Sequence, residues 1–103
     1  MKREIYVFMD SVSRGFGEPF TMANDAELRR QFGNMVEDPS VPAYAIRDTL
    51  VIHLGTFVPD PDHPHIVADV VPVTVLRGDA YNVEEIRRQS PVVAATASEL
   101  PSD

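Results

Sequence analysis

The spacing of apolar residues changes along the chain, and each change marks an element. From Glu4 to Asp10 the pattern alternates: Ile5, Val7 and Met9 fall on one side of an extended chain, Tyr6 and Phe8 on the other. Period two with β-branched and aromatic content predicts a strand, and apolar residues on both sides predict one that is central or covered on both faces. Ser11 to Glu18 carries Gly15-Phe16-Gly17 and reads as a turn or flexible loop. Pro19 to Thr21 predicts a short strand in a hairpin with the first, Pro19 lying at an edge or strand start, where its missing donor does no harm. Beyond Asn24 the period lengthens. Leu28, Phe32, Met35 and Val36 stand at i, i+4, i+7 and i+8 and predict a helix over Asp25 to Glu37. Asn24 is its N-cap, and Glu27 three residues on completes a capping-box pair. Asp25 and Glu27 suit the positive end of the helix dipole. Gly33 weakens the interior by about 1 kcal/mol relative to alanine unless close packing requires it. Pro39 ends the helix by restricting Asp38.

Ser40 to Asp48, with Pro42, reads as a connection. Thr49 to Phe57 alternates again, with Leu50, Ile52 and Leu54 on one face and Val51 and His53 on the other. A Pro and Asp loop follows over Val58 to Pro64. Ile66 to Leu76 predicts the last strand, with Val71, Val73 and Val75 in phase and Pro72 demanding an edge position or a bulge. Asn82 with Glu85 signals a short helix to about Gln89. The expected fold is α+β: a small antiparallel sheet in β-β-α-β-β order, one main helix on one face and a short C-terminal helix. Residues 1–89 make a single domain; 90–103, rich in Pro, Ala, Ser and Val without period, read as a flexible, disordered tail. One helix leaves the second sheet face open, and a homodimer is expected to cover it.

Composition narrows the function classes. At 103 residues and 44% hydrophobic, the chain holds one modest core. No cysteine is present, which removes disulfide frameworks, thiolate zinc sites and cysteine nucleophiles. Met1 to Asp10 does not read as a targeting leader, since Glu4 interrupts a short apolar run. No stretch approaches the roughly 20 apolar residues of a membrane helix. Nine Lys and Arg against sixteen Asp and Glu give a net charge of −7. That total argues against DNA binding, though it does not forbid a local basic patch, and it is also explained by solubility alone.

The candidate chemistry is sparse. His63-x-His65 beside Asp60, Asp62 and Asp69 has the donor types of a metal site, but a Pro-interrupted polar loop explains it, and no metal or cofactor is expected. His53 reads as a half-exposed sheet residue. Ser11 and Ser13 lack a nucleophile elbow, and Gly15-Phe16-Gly17 lacks the continuation of a phosphate loop. No enzymatic activity is expected. A nucleic-acid reading rests on Arg14, Phe16, Arg30 and Arg47, with Phe20 and Arg29 near them. A Gly-flanked loop carrying Arg and Phe can stack on a base while touching phosphate. Arg30 points away from the apolar stripe and is open to solvent. The competing account pairs these arginines with carboxylates and helix neighbours, Arg30 with Glu27 or Asn34, and places the aromatics in the core.

Asp10-Ser11, Pro19-Phe20, Asn24-Asp25-Ala26, Arg30-x-Phe32, Val36, Asp38-Pro39-Ser40 and Leu54-Gly55-x-Phe57, in this order, resemble the small nonstructural protein of gokushovirus-type microviruses, phages with single-stranded DNA genomes. Val73-x-Val75-x-Arg77-x-Asp79-Ala80 extends the resemblance, which covers Ile5 to Ala80. It implies a viral nonstructural accessory protein in the host cytoplasm that binds single-stranded DNA in the switch to single-strand genome synthesis. The alternative is a dimeric adaptor that engages a viral or host replication protein through the sheet face or the acidic tail. The Pro-rich loop from Val58 to Pro64 departs from the Asp and Gly turn expected after Phe57.

Overall fold

A computed structural model describes residues 1–89; the tail expected over 90–103 lies outside the described residues. The order is β1 (Arg3–Asp10), β2 (Phe20–Met22), α1 (Asp25–Glu37), α2 (Ala43–Arg47), β3 (Thr49–Val58), β4 (His65–Arg77), a 3-10 turn (Gly78–Ala80) and α3 (Val83–Gln89). The strands form one antiparallel sheet in the order β2-β1-β3-β4. This is the expected α+β fold with β1 central, and α1 has the expected bounds. Two elements are absent from the sequence reading, the 3-10 turn and α2, and α2 occupies part of the expected connection. It makes barely more than one turn and has no side-chain cap, so neither periodicity nor a capping residue announces it; Pro42, at φ −60, sets the entry.

Asn24 caps α1 by accepting from the Glu27 N–H at 2.8 Å. The return arm goes one residue further back than the capping-box pattern implies: Glu27 accepts from the Ala23 N–H at 2.8 Å. Leu28, Phe32 and Val36 of α1 are buried with Tyr6, Val51 and Leu76 of the sheet, Ile46 of α2 and Val83 of α3. Each such side chain contributes about 1.5–3 kcal/mol by leaving water. The C-terminus of α1 is closed by Arg87 of α3, which donates to the carbonyls of Val36, Asp38 and Val41 at 2.8, 2.8 and 2.6 Å. That tie fixes α3 to α1 and satisfies orphan carbonyls at the negative end of the helix.

Residues opposite each other in an antiparallel pair share a face, so the register sorts the side chains. Glu4, Tyr6 and Phe8 of β1 point to the helical layer with Phe20, Met22, Val51, His53, Thr56, Val67, Val73 and Leu76. Arg3, Ile5, Val7 and Met9 point to the other face with Thr21, Leu50, Ile52, Phe57, Ile66, Thr74 and Arg77. No helix covers this second face among the described residues.

β4 is an edge strand, and it is also broken by a bulge, so Pro72 meets both conditions its ring demands. The register passes from Gly55↔Ala68 to His53↔Val73, leaving Leu54 opposite the four residues Asp69 to Pro72. Val70 on this arch is fully exposed. Gly55 sits where the strands crowd: a Cβ there would lie 2.5 Å from the Val67 carbonyl oxygen.

Candidate functional site

Arg14 and Phe16 lie together on the β1–β2 connection. Asp10 organises the turn: its backbone N–H donates to the Gly15 carbonyl at 2.9 Å, its carbonyl accepts from the Arg14 N–H at 2.7 Å, and its Oδ1 accepts from the Val12 N–H at 2.8 Å. Ser11 N–H donates to the Asp48 carbonyl at 2.8 Å and pins the loop to the start of β3. Arg14 has φ 61 and is the one non-glycine residue with positive φ among the described residues. Such a conformation costs a non-glycine residue about 1 kcal/mol or more. Phe16 pairs with Met9 in an isolated bridge and is 64% exposed. The aromatic is therefore not core, and this part of the connection is a hydrogen-bonded turn.

Arg30 and Arg47 belong to the helical layer. Arg30 is exposed on α1, on the side away from the Leu28–Phe32–Val36 stripe. It does not pair with Glu27, whose carboxylate holds the Ala23 N–H. Arg47, on α2, pairs with Glu84 at 2.6 Å across two exposed side chains, a contact worth little in water. Arg77 pairs with Asp79 at 3.1 Å and Arg88 with Glu85. Arg29 donates to the Val75 carbonyl at 3.3 Å, and Arg3 donates to Thr21 Oγ1 at 3.0 Å. The four residues singled out in the sequence thus divide: two on the turn beside the open sheet face, two in the helical layer behind it.

A tight polar cluster centres on His53, on the sheet face toward the helices. Its Nδ1 lies 2.5 Å from Asp69 Oδ2, and its Nε2 lies 3.6 Å from Glu4 Oε2. Burial works against the charged imidazolium, but the hydrogen bonds and charges of Asp69 and Glu4 outweigh it, and the pKa is raised above the usual 6.5. Glu4 also accepts from the Thr56 hydroxyl at 2.8 Å. Tyr6 packs edge-on against His53, ring centroids 5.4 Å apart, and its hydroxyl donates to Asp25 at 2.5 Å. Burial, then the bond to Asp25 and its charge, push the Tyr6 pKa well up. Beside the cluster is an open hollow of about 440 Å³ lined by Glu4, Asn24, Asp25, His53 and Val73 among others. A histidine held between two carboxylates holds its proton to higher pH than a free imidazole, and this one ties three strands together. Sequence spacing gave no sign of the cluster, because its members come from β1, β3 and β4.

His63 and His65 stack at 5.3 Å between centroids, and His65 Nδ1 lies 2.8 Å from the His63 carbonyl. No group of three or more metal-ligating side chains occurs among the described residues, and no described helix is long and apolar enough to cross a membrane.

Fold and site together define a small one-sheet α+β protein whose prominent surface features are an aromatic-bearing turn and an uncovered sheet face. The chain belongs to the phage ORF5 protein family, whose model matches residues 3–81. It is thus a small phage accessory protein, and the match spans the sheet, α1, α2 and the 3-10 turn. No curated protein and no solved structure matches the chain.

Proposed function

We propose that this phage protein is the gokushovirus-type nonstructural factor, a non-enzymatic accessory protein that binds single-stranded DNA in the host cytoplasm during viral genome replication. The observation that carries this reading is the Arg14–Phe16 turn. An aromatic ring left 64% exposed stands two residues from an arginine whose side chain makes no hydrogen bond or ion pair among the described residues. Holding Arg14 at φ 61 costs stability, and folding returns nothing visible for either side chain. An exposed ring stacks on a base and an adjacent guanidinium meets phosphate, the pairing that sequence-tolerant single-strand binders use. Titration of the protein with fluorescent single-stranded DNA at low and physiological salt tests the proposal. Binding that weakens steeply with salt is expected; absence of binding at micromolar protein in low salt overturns it.

A second reading, an adaptor for a replication protein, is favoured by a different observation. β4 exposes Ile66, Val67, Val70, Val71 and Val73 along one edge, and exposed apolar edges are where sheets recruit partners. Recovery of one replication protein from infected cells by the wild type, lost in Val70→Asp, supports that reading.

A further inference from the structure

The open face of the sheet carries a charge pattern that the net charge of the chain conceals. Among the residues the register places there, none is a carboxylate, in a chain with sixteen. The polar ones are Thr21, Thr74, Arg3 and Arg77. The register also sets them in two rows across the sheet. At one end Phe16 of the turn stands beside Met9, and Met9, Leu50 and Arg77 stand side by side on successive strands. At the other, Arg3, Phe57 and Ile66 do. Between the rows lie Ile5, Val7 and Ile52 as an apolar floor. Arg3 and Met9 are six residues apart on β1, so the rows are about 20 Å apart at ~3.3 Å per residue. Each row offers one aromatic ring and one guanidinium.

We propose that this face is the single-strand binding platform: bases stack on Phe16 and Phe57, and Arg77 and Arg3, with Arg14 of the adjoining turn, take the phosphates. The proposal rests on the single-stranded DNA reading above and assigns its site. Duplex DNA does not fit, since its bases are stacked on one another and cannot lie on a ring. The ion pair of Arg77 with Asp79 at 3.1 Å joins two side chains that are more than half exposed, so it is weakly held and yields to a phosphate. Arg3 has only Thr21 to release. A second copy of the chain is the other occupant such a face invites. Two-fold stacking would bury Arg3 of both copies, which meets Thr21 and no carboxylate, an uncompensated burial of charge. The platform leaves out Arg30 and Arg47, which the helical layer carries on its own surface.

The test is NMR mapping of the full chain with an eight-nucleotide oligothymidine at low salt, paired with affinities of point variants. Perturbed amides are expected on Arg3, Ile5, Val7, Met9, Phe16, Ile52 and Phe57. Phe16→Ala, an exposed truncation that leaves the core alone, is expected to raise Kd about 5- to 140-fold, the range for one lost base stack. Arg3→Gln and Arg77→Gln are each expected to lower the salt slope by about 0.7, while Arg30→Gln and Arg47→Gln leave Kd unchanged. Perturbations confined to α1 and α2, or affinity lost in Arg30→Gln and kept in Phe16→Ala, overturn the placement while single-strand binding stands. No binding at all overturns both. Concentration-dependent perturbation of the same face without DNA assigns it to a second copy and overturns the platform.

Discussion

Two glycines with opposite surroundings give a test of the packing argument. In α1, a Cβ built on Gly33 meets nothing within 4 Å, and the residue does not have positive φ. Close packing therefore does not require it. Gly33→Ala keeps the helix, limits the unfolded chain and creates no clash, so it is expected to stabilise by about 0.8–1 kcal/mol. In a domain of this size that raises Tm by about 4–8 °C. In β3, a Cβ on Gly55 would stand 2.5 Å from the Val67 carbonyl oxygen and 3.0 Å from the Ala68 Cα. Both neighbours are backbone, so the relief must come from parting β3 and β4 next to the bulge. Gly55→Ala is expected to destabilise by about 1–3 kcal/mol, the usual cost of an added methylene where packing is tight. Urea denaturation read by circular dichroism measures both against the wild type. Equal signs for the two substitutions, or a Gly33→Ala protein less stable than wild type, would refute the argument that local space, and not helix or strand membership, decides the outcome.

Three further outcomes follow from individual contacts. The raised His53 pKa stabilises the fold below about pH 6.5, the unfolded value, and that contribution fades as pH rises through the higher folded value; urea midpoints should fall more between pH 6 and 9 in the wild type than in Asp69→Asn, and equal falls would rule out the cluster as the cause. Arg87→Met keeps the aliphatic stem but removes three bonds to the carbonyls at the end of α1, and should cost about 2 kcal/mol in the same assay. Asn24→Ala removes the α1 cap and should cost about 1 kcal/mol, with the loss in helical signal concentrated at the first turn by hydrogen exchange.

Elements that signal themselves within a few residues were legible in the sequence. The α1 bounds followed from Asn24, the Leu28–Val36 stripe and Pro39, all local features, and Pro72 alone placed β4 at an edge or bulge. The alternation in β1 assigned Ile5, Val7 and Met9 to one face and Tyr6 and Phe8 to the other, as the register has them. α2 was missed because its five residues are too few to show a period. The return arm of the α1 cap was misplaced by one residue because the pattern fixes the spacing of Asn24 and Glu27 but not which N–H the carboxylate reaches.

The site was less legible, because its defining quantity is which strands stand side by side. Arg14 and Phe16 could be singled out, being close in sequence and unexplained by folding. Arg30 and Arg47 drew the same attention for the same reason, exposure, yet nothing in the spacing could tell that α1 and α2 carry them to the layer behind the sheet. Conversely, Phe57 closed one expected strand, Arg77 lay just past another, and both drew notice only through the family resemblance, while Arg3 merely flanked the first strand. Their significance appears once Met9 is known to face both Phe16 and Leu50, and Leu50 to face Arg77. The same holds for His53, which the alternation placed on a face but could not place between Asp69 and Glu4. Net charge is silent on this pattern for a related reason: −7 describes the chain, whereas the field over one face depends on which residues share it. A carboxylate-free face exists on so acidic a protein because β1 carries Glu4 and Asp10 in the helix-facing register, β3 has no acidic residue, β4 turns Asp69 toward His53, and the rest lie on helices and loops. A change that adds a negative charge to that face, such as Thr74→Glu, therefore tests binding more sharply than any change in the total.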